Sequence, residues 1–306
     1  MKTYYNRGWN CLMKYNILGV PIEVDTHLCE VNEYLLNIYS YFRGKDIDEP
    51  KIHYTATSQK STTWEGNSYS IYRNGRIVGN YSYVEEFLLE LEHIIMDDVM
   101  MQLTNLFFVH AAVLVKNKEA VILAGPSHAG KSTLAMALSR RGYYYLSDEV
   151  APIEPKNYMV YPFPRGIKLR REVLDVLALQ DCLAGKKRYI VNVGNKHIID
   201  ANLSFEIKYI LFPTYVPSKV PELTPVSAAI ALGMLAKCSL NFHTFRGDPL
   251  SFLTELVMNA RCYKFVTNEL DRSCKIIEKL FHSPKCHLGI KKSISAENNA
   301  GPASEG

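Results

Sequence analysis

No stretch of this sequence reaches the roughly 18 uninterrupted apolar residues that a membrane-crossing helix needs. The opening residues, MKTYYNRGWNCLMKYN, lack the apolar core of a secretion signal. No membrane partner is expected, and the expected location is the cytoplasm. The seven cysteines include no CxxC pair that could begin a zinc site; odd in number and widely scattered, they suit reduced thiols rather than a disulfide framework. Charge of one sign is also scarce. A formal net charge of +4 over 306 residues supplies no dedicated basic stripe, so no nucleic-acid partner is expected.

What is there is a composition of 47% hydrophobic and 22% charged residues, that of a globular enzyme, and length enough to bury a substantial core. Short strand-like runs at 17–24, 51–57, 69–72 and 77–81, with Asn74-Gly75 as a hairpin turn and a helical stretch at 31–42, predict a small α+β N-terminal domain over residues 1–81. Ser82 and Glu85 have capping-box spacing, and apolar residues from Val84 to Leu103 recur at helical period. One amphipathic connecting helix is therefore expected within 82–104, with Glu85, Glu86, Glu90, Glu92, Asp97 and Asp98 facing solvent.

The main domain is expected over 105–288. It opens with a buried strand at 106–115, interrupted only by His110, then a strand at 120–124, a helix at 133–141 stopped by Gly142, and a strand at 143–147. Further on, the pattern predicts a helix at 170–184, a strand at 207–212 ended by Pro213, and helices at 226–237, 249–260 and 269–281. The polar, small residues 289–306 read as a disordered tail.

Between the second strand and the helix, Gly125-Pro126-Ser127-His128-Ala129-Gly130-Lys131-Ser132 fits G-x-x-x-x-G-K-[ST], in the strand–loop–helix context the pattern requires. Glycines let the backbone curl so that its N–H groups surround a phosphate, and the following helix points its positive end at the same anion. Gly125, Ser127, His128, Ala129, Gly130 and Thr133 are expected around the phosphates. Lys131 would reach the β- and γ-phosphates and the Ser132 hydroxyl would bind Mg²⁺, so ATP or GTP with Mg²⁺ is the expected cofactor. One helix and one return strand later come Asp148-Glu149, carboxylates placed either to coordinate Mg²⁺ or to accept the proton of an incoming hydroxyl. The hairpin of 106–115 with 120–124 keeps His110 near the same end of the sheet.

His110, the glycine-rich loop and Asp148-Glu149 at these separations resemble the core of the HPr kinase/phosphorylase family and its stand-alone relatives. The Pro162–Leu169 segment (PFPRGIKL) and Phe212-Pro213-Thr214-Tyr215 add to the likeness. The resemblance implies an α/β fold, a mixed sheet carrying the P-loop like that of HPr kinase and phosphoenolpyruvate carboxykinase. It implies that Asp148 is the base acting on a serine hydroxyl, that His110 hydrogen-bonds Asp148, that Glu149 helps hold Mg²⁺, and that Lys131 is part of the catalytic set. Arg165 and Lys168 are candidates to contact phosphate or substrate. The chain departs from the family at His128, Thr133 and Glu149 and lacks the glycine-rich segment tied to phosphorylase activity. Its layout is similar to stand-alone kinases that act on ribosomally made precursor peptides, including lasso precursors. A peptide or protein with an acceptor serine is then the expected partner, together with a homo-oligomer of the chain. Two other readings stay open on the residues alone: a small-molecule kinase of the shikimate or gluconate kind, and a nucleotide-binding regulatory module.

Overall fold

The computed structural model describes residues 11–44, 49–62, 65–177, 179, 183–184, 189–193 and 203–282. The predicted tail at 289–306 lies outside them. Strands β1 (Cys11–Ile17) and β2 (Val20–Thr26) form a hairpin, followed by helix α1 (Cys29–Ile38). Strands β3 (Ile52–Lys60), β4 (Asn67–Arg73) and β5 (Arg76–Tyr81) complete a five-stranded sheet in the order β1-β2-β3-β4-β5. The expected single strand at 17–24 is thus two strands around a turn. Leu18 and Gly19 take positive φ there (52° and 84°), as do Asn74 and Gly75 in the predicted β4–β5 turn.

Helix α2 (Val84–Gln102) follows; its N-cap is Tyr83, one residue later than the Ser82 expected, and it carries no side-chain cap bond. Phe87, Leu91, Ile95 and Val99 are buried in one core with Tyr15, Ile22, Val24, Tyr54 and Ile71 of the sheet. Burying such an aliphatic or aromatic side chain is worth about 1.5–3 kcal/mol, which binds α2 firmly to the sheet.

Then come β6 (Phe107–Val109), β7 (Ala111–Lys116), β8 (Glu119–Ala124), α3 (Lys131–Ser139), β9 (Tyr144–Ser147), β10 (Ala151–Ile153) and β11 (Met159–Val160). A small three-stranded sheet is made by β12 (Ile167–Leu169), β13 (Leu183–Ala184) and β14 (Tyr189–Val191), with α4 (Arg171–Leu177) between β12 and β13. Of the helix expected at 170–184, residues 171–177 form α4 and 183–184 lie in a strand, while 178 and 180–182 lie outside the described residues. The chain continues with β15 (Phe205–Tyr215), β16 (Glu222–Pro225), α5 (Ala228–Ala236), α6 (Pro249–Asn259), β17 (Arg261–Thr267) and α7 (Leu270–His282).

In the large sheet β8 runs parallel to β15 and antiparallel to β7, and β15 runs parallel to β17. The protein is thus of mixed α/β class with mixed sheets. Along β8, Ala120, Ile122 and Ala124 join the core under α5 and α6, while Val121 and Leu123 join the core under α3 and α7. Burial on both faces is why this strand is a continuous apolar run. Strand β15 passes through Pro213 instead of ending there. Pro213 lies beyond Leu211, the last residue paired to β8, so that edge needs no ladder hydrogen bond where the proline stands.

The expected strand at 106–115 is broken at His110 into β6 and β7, which pair with different neighbours, β10 and β8/β9. The break is held by long-range bonds. The His110 N–H donates to the Cys238 carbonyl at 2.7 Å and the Ala111 N–H to that of Glu149 at 3.3 Å. The buried Asn241 amide accepts from the Phe108 N–H at 2.9 Å and donates to the Leu106 carbonyl at 2.8 Å. Asn241→Ala leaves a buried donor and a buried acceptor unpaired, and should cost about 2–3 kcal/mol in urea unfolding. A loss under about 0.5 kcal/mol would show that the segment before His110 does not depend on this clamp.

Among the described residues no helix is long and apolar enough to cross a membrane.

Candidate functional site

The loop 125–130 leaves β8 at the middle of the large sheet and delivers the chain to α3. Gly130, at φ +89°, is the last residue before the helix, and His128 also takes positive φ (71°), so the backbone reverses its curl twice within three residues. Lys131 opens α3 and folds back over the loop, donating from Nζ to the carbonyls of Gly125 at 2.8 Å and Pro126 at 2.9 Å. Burial lowers the Lys131 ammonium from its ordinary range, against the opposing pull of Glu149 and Asp148.

Strand β9 brings Asp148 and Glu149 to the same edge. Both lie in the bend just beyond the strand and line one cavity, but they take different partners. Asp148 turns inward, is 2% exposed, and hydrogen-bonds Ser132. Its Oδ1 has no hydrogen-bond partner among the described residues. Burial, then the neighbouring Glu149 charge, push its carboxyl up to about 6; Ser132, Arg165 and Lys131 hold it from rising further. Glu149 meets His110, with 3.2 Å between Nε2 and Oε2. Burial would raise Glu149, but the His110 hydrogen bond and the Arg165 and Lys168 charges bring it down to about 2. The expected His110–Asp148 bond is therefore corrected: His110 partners Glu149, while Asp148 is buried and bonded to Ser132.

Arg165 and Lys168, expected as candidate phosphate or substrate contacts, are both engaged by one carboxylate, and Lys168 also lines the cavity. Arg165 is buried against Glu92 of α2, and Lys168 Nζ lies 2.5 Å from the same carboxylate, which also accepts from the Tyr34 hydroxyl. Glu92 is 1% exposed, which corrects its expected solvent-facing position. The segment carrying the two cations runs close beneath α1. A Cβ on Gly166 would stand 2.4 Å from the Asn37 carbonyl oxygen, so only glycine lets the backbones approach this far.

Lys131, Ser132, Asp148, Glu149, Lys168 and Arg170 line one cavity of about 510 Å³. Its far wall is formed by Tyr215, Thr267, Asn268 and Leu270, at the ends of β15 and β17. Ser127, His128, Gly130, Thr133 and His110 also border it, while Gly125 and Ala129 lie buried in the loop's floor. Arg170 was not foreseen from sequence. It meets His128 with its Nη2 at 2.6 Å from Nδ1, and its only sequence signal is its place two residues after Lys168.

No family model matches the chain, and no curated protein matches it. Among solved structures it is similar to the Hpr(Ser) kinase/phosphatase from Coxiella burnetii, at 15% identity, over 57% of this chain and 97% of that one, with a TM-score of 0.30. At that score the two superpose too loosely to transfer a residue role.

Proposed function

We propose that the protein is a nucleotide- and Mg²⁺-dependent kinase that phosphorylates a serine hydroxyl of a peptide or protein. The observation that carries this reading is the convergence of the loop 125–130, Lys131, Ser132 and the buried Asp148 on one cavity. The residues fit the missing cofactor. A curled glycine loop at a helix start is a phosphate cradle, and the Ser132 hydroxyl and the Glu149 carboxylate lining the same cavity are hard oxygen donors. Among the described residues no three His, Cys, Asp or Glu side chains gather to hold a metal by themselves. That suits Mg²⁺, which is usually held by one or two carboxylates together with nucleotide phosphates.

When bound, the Mg²⁺-nucleotide supplies the phosphoryl group to be transferred. In this reading loop N–H groups and the Lys131 ammonium bind its phosphates, and Ser132 and Glu149 hold the metal. His110 fixes the orientation of Glu149. Asp148 accepts the proton of the acceptor hydroxyl, a task that suits a carboxyl lifted toward neutrality. The division into an N-terminal unit, α2 and a kinase unit belongs to the same proposal, as do a serine-bearing precursor peptide as acceptor and self-association of the chain.

Lys131→Ala tests it. Nucleotide affinity, measured by calorimetry with Mg²⁺, should fall about 100-fold, since hydrogen bonds to charged groups are each worth about 1.5–3 kcal/mol. Unchanged affinity in a folded variant would remove the phosphate-loop assignment. Incubation with labelled ATP and peptides carrying or lacking a terminal serine then separates a peptide kinase from a small-molecule one.

A further inference from the structure

Phosphoryl transfer is catalysed mainly by placing positive charge around the terminal phosphate oxygens, so each cation at the cavity matters. Among the described residues, four lysine and arginine side chains stand there or just behind it. Arg165 and Lys168 are both committed to Glu92. Lys131 is drawn onto the loop carbonyls. Arg170 differs from all three. It is exposed, lines the cavity, and among the described residues meets no carboxylate; its hydrogen-bond partner is the His128 ring of the phosphate loop itself.

We propose that Arg170 is a specificity-determining residue that binds the terminal phosphate of a nucleoside triphosphate, with His128 holding its guanidinium over the loop beforehand. This rests on the kinase reading above. Two features of the geometry support it. An uncompensated guanidinium beside a loop built for anions is attracted to phosphate, and its planar fork can meet two oxygens at once. His128 occupies the middle of the loop, so a group docked on its ring is carried at the loop rather than elsewhere in the cavity. The His128 contact also limits how far the long side chain must be ordered on binding, which reduces the entropy cost of using it. A bulky residue at a positive-φ position thereby has a use: the ring gives Arg170 a fixed place to stand.

The test compares a non-hydrolysable ATP analogue with ADP, each with Mg²⁺, by calorimetry on the full chain. Arg170→Ala should weaken the ATP analogue about 10- to 100-fold while ADP changes less than about 2-fold, because ADP lacks the γ-phosphate that Arg170 would bind. Arg170→Lys should recover part of the difference, as charge returns without the fork. Equal weakening of both nucleotides, or of neither, would overturn the proposal, and Arg170→Gln provides the same comparison should the alanine variant fold poorly. The kinase reading fails separately: in that case the unaltered protein binds neither nucleotide and Lys131→Ala makes no difference.

Discussion

Asp148→Asn should lower turnover by about 10² to 10⁴, the range of general-base catalysis, while changing nucleotide affinity far less. The same substitution should make the metal-free protein more stable at neutral pH. The sign follows from the raised carboxyl of Asp148, at about 6 when folded against the ordinary 3.8. Between those values the native state keeps a proton that the unfolded state has released, so stability falls as pH rises from about 4 to 6, and the full cost persists above. Asparagine never ionises and escapes that cost, up to about 3 kcal/mol. Unfolding in urea at pH 8 and pH 4, with metal removed, should show the variant ahead at pH 8 and level with the parent at pH 4. A group that weakens the fold where it improves the chemistry is what a functional site, rather than a packing site, is expected to hold. Should Asp148→Asn weaken Mg²⁺-nucleotide binding and be rescued by added Mg²⁺, Asp148 is a metal ligand and the base lies elsewhere, with Glu149 the next candidate. His110→Ala then distinguishes the carboxylates, since His110 touches Glu149 and not Asp148.

The parts of this site that lie close together along the chain were legible in the sequence. The loop between an apolar strand and a helix, and the single helix and strand that follow it, bring the octapeptide and Asp148 to one cavity, as their spacing along the chain suggested. The His110 pairing was misread because Asp148 and Glu149 lie in a bend beyond β9, where no strand or helix period says which of the two meets the ring. Glu92 was misread for a different reason. It sits four residues from both Leu88 and Met96, within the apolar stripe of α2, so the periodicity itself placed it inward; charge alone suggested water. What no local pattern could supply was its partners, Arg165 and Lys168, more than seventy residues away in a segment whose course beneath α1 depends on Gly166. Pro213 misled by the same route, since its tolerance in β15 depends on where a neighbouring strand stops.

Glu92→Gln should destabilise the protein by about 3–5 kcal/mol at pH 7, because it strands the Arg165 guanidinium and the Lys168 ammonium together in the interior. The parent network is tightly closed. The one carboxylate meets Arg165, Lys168 and the Tyr34 hydroxyl, and all but Tyr34 are nearly excluded from water. Burial would raise the Glu92 carboxyl, yet Arg165 and Lys168 outweigh it and lower it below the ordinary 4.5. A depressed carboxyl contributes its stability in full above the unfolded value and loses it as pH falls through the folded one. The gap between parent and Glu92→Gln should therefore be widest above about pH 5 and narrow toward pH 3, as urea titrations at the two extremes would register. Replacing Glu92, Arg165 and Lys168 together with apolar residues of similar volume should restore much of the loss, since buried charges cost most when one partner is missing. That triple variant also separates fold from function. Arg165 and Lys168 help hold Glu149 ionised, so a chain that regains its stability but not its turnover would show that the cations beside α2 serve the cavity as well as the core. Recovery of both would leave them a purely structural bond between α2 and the small sheet.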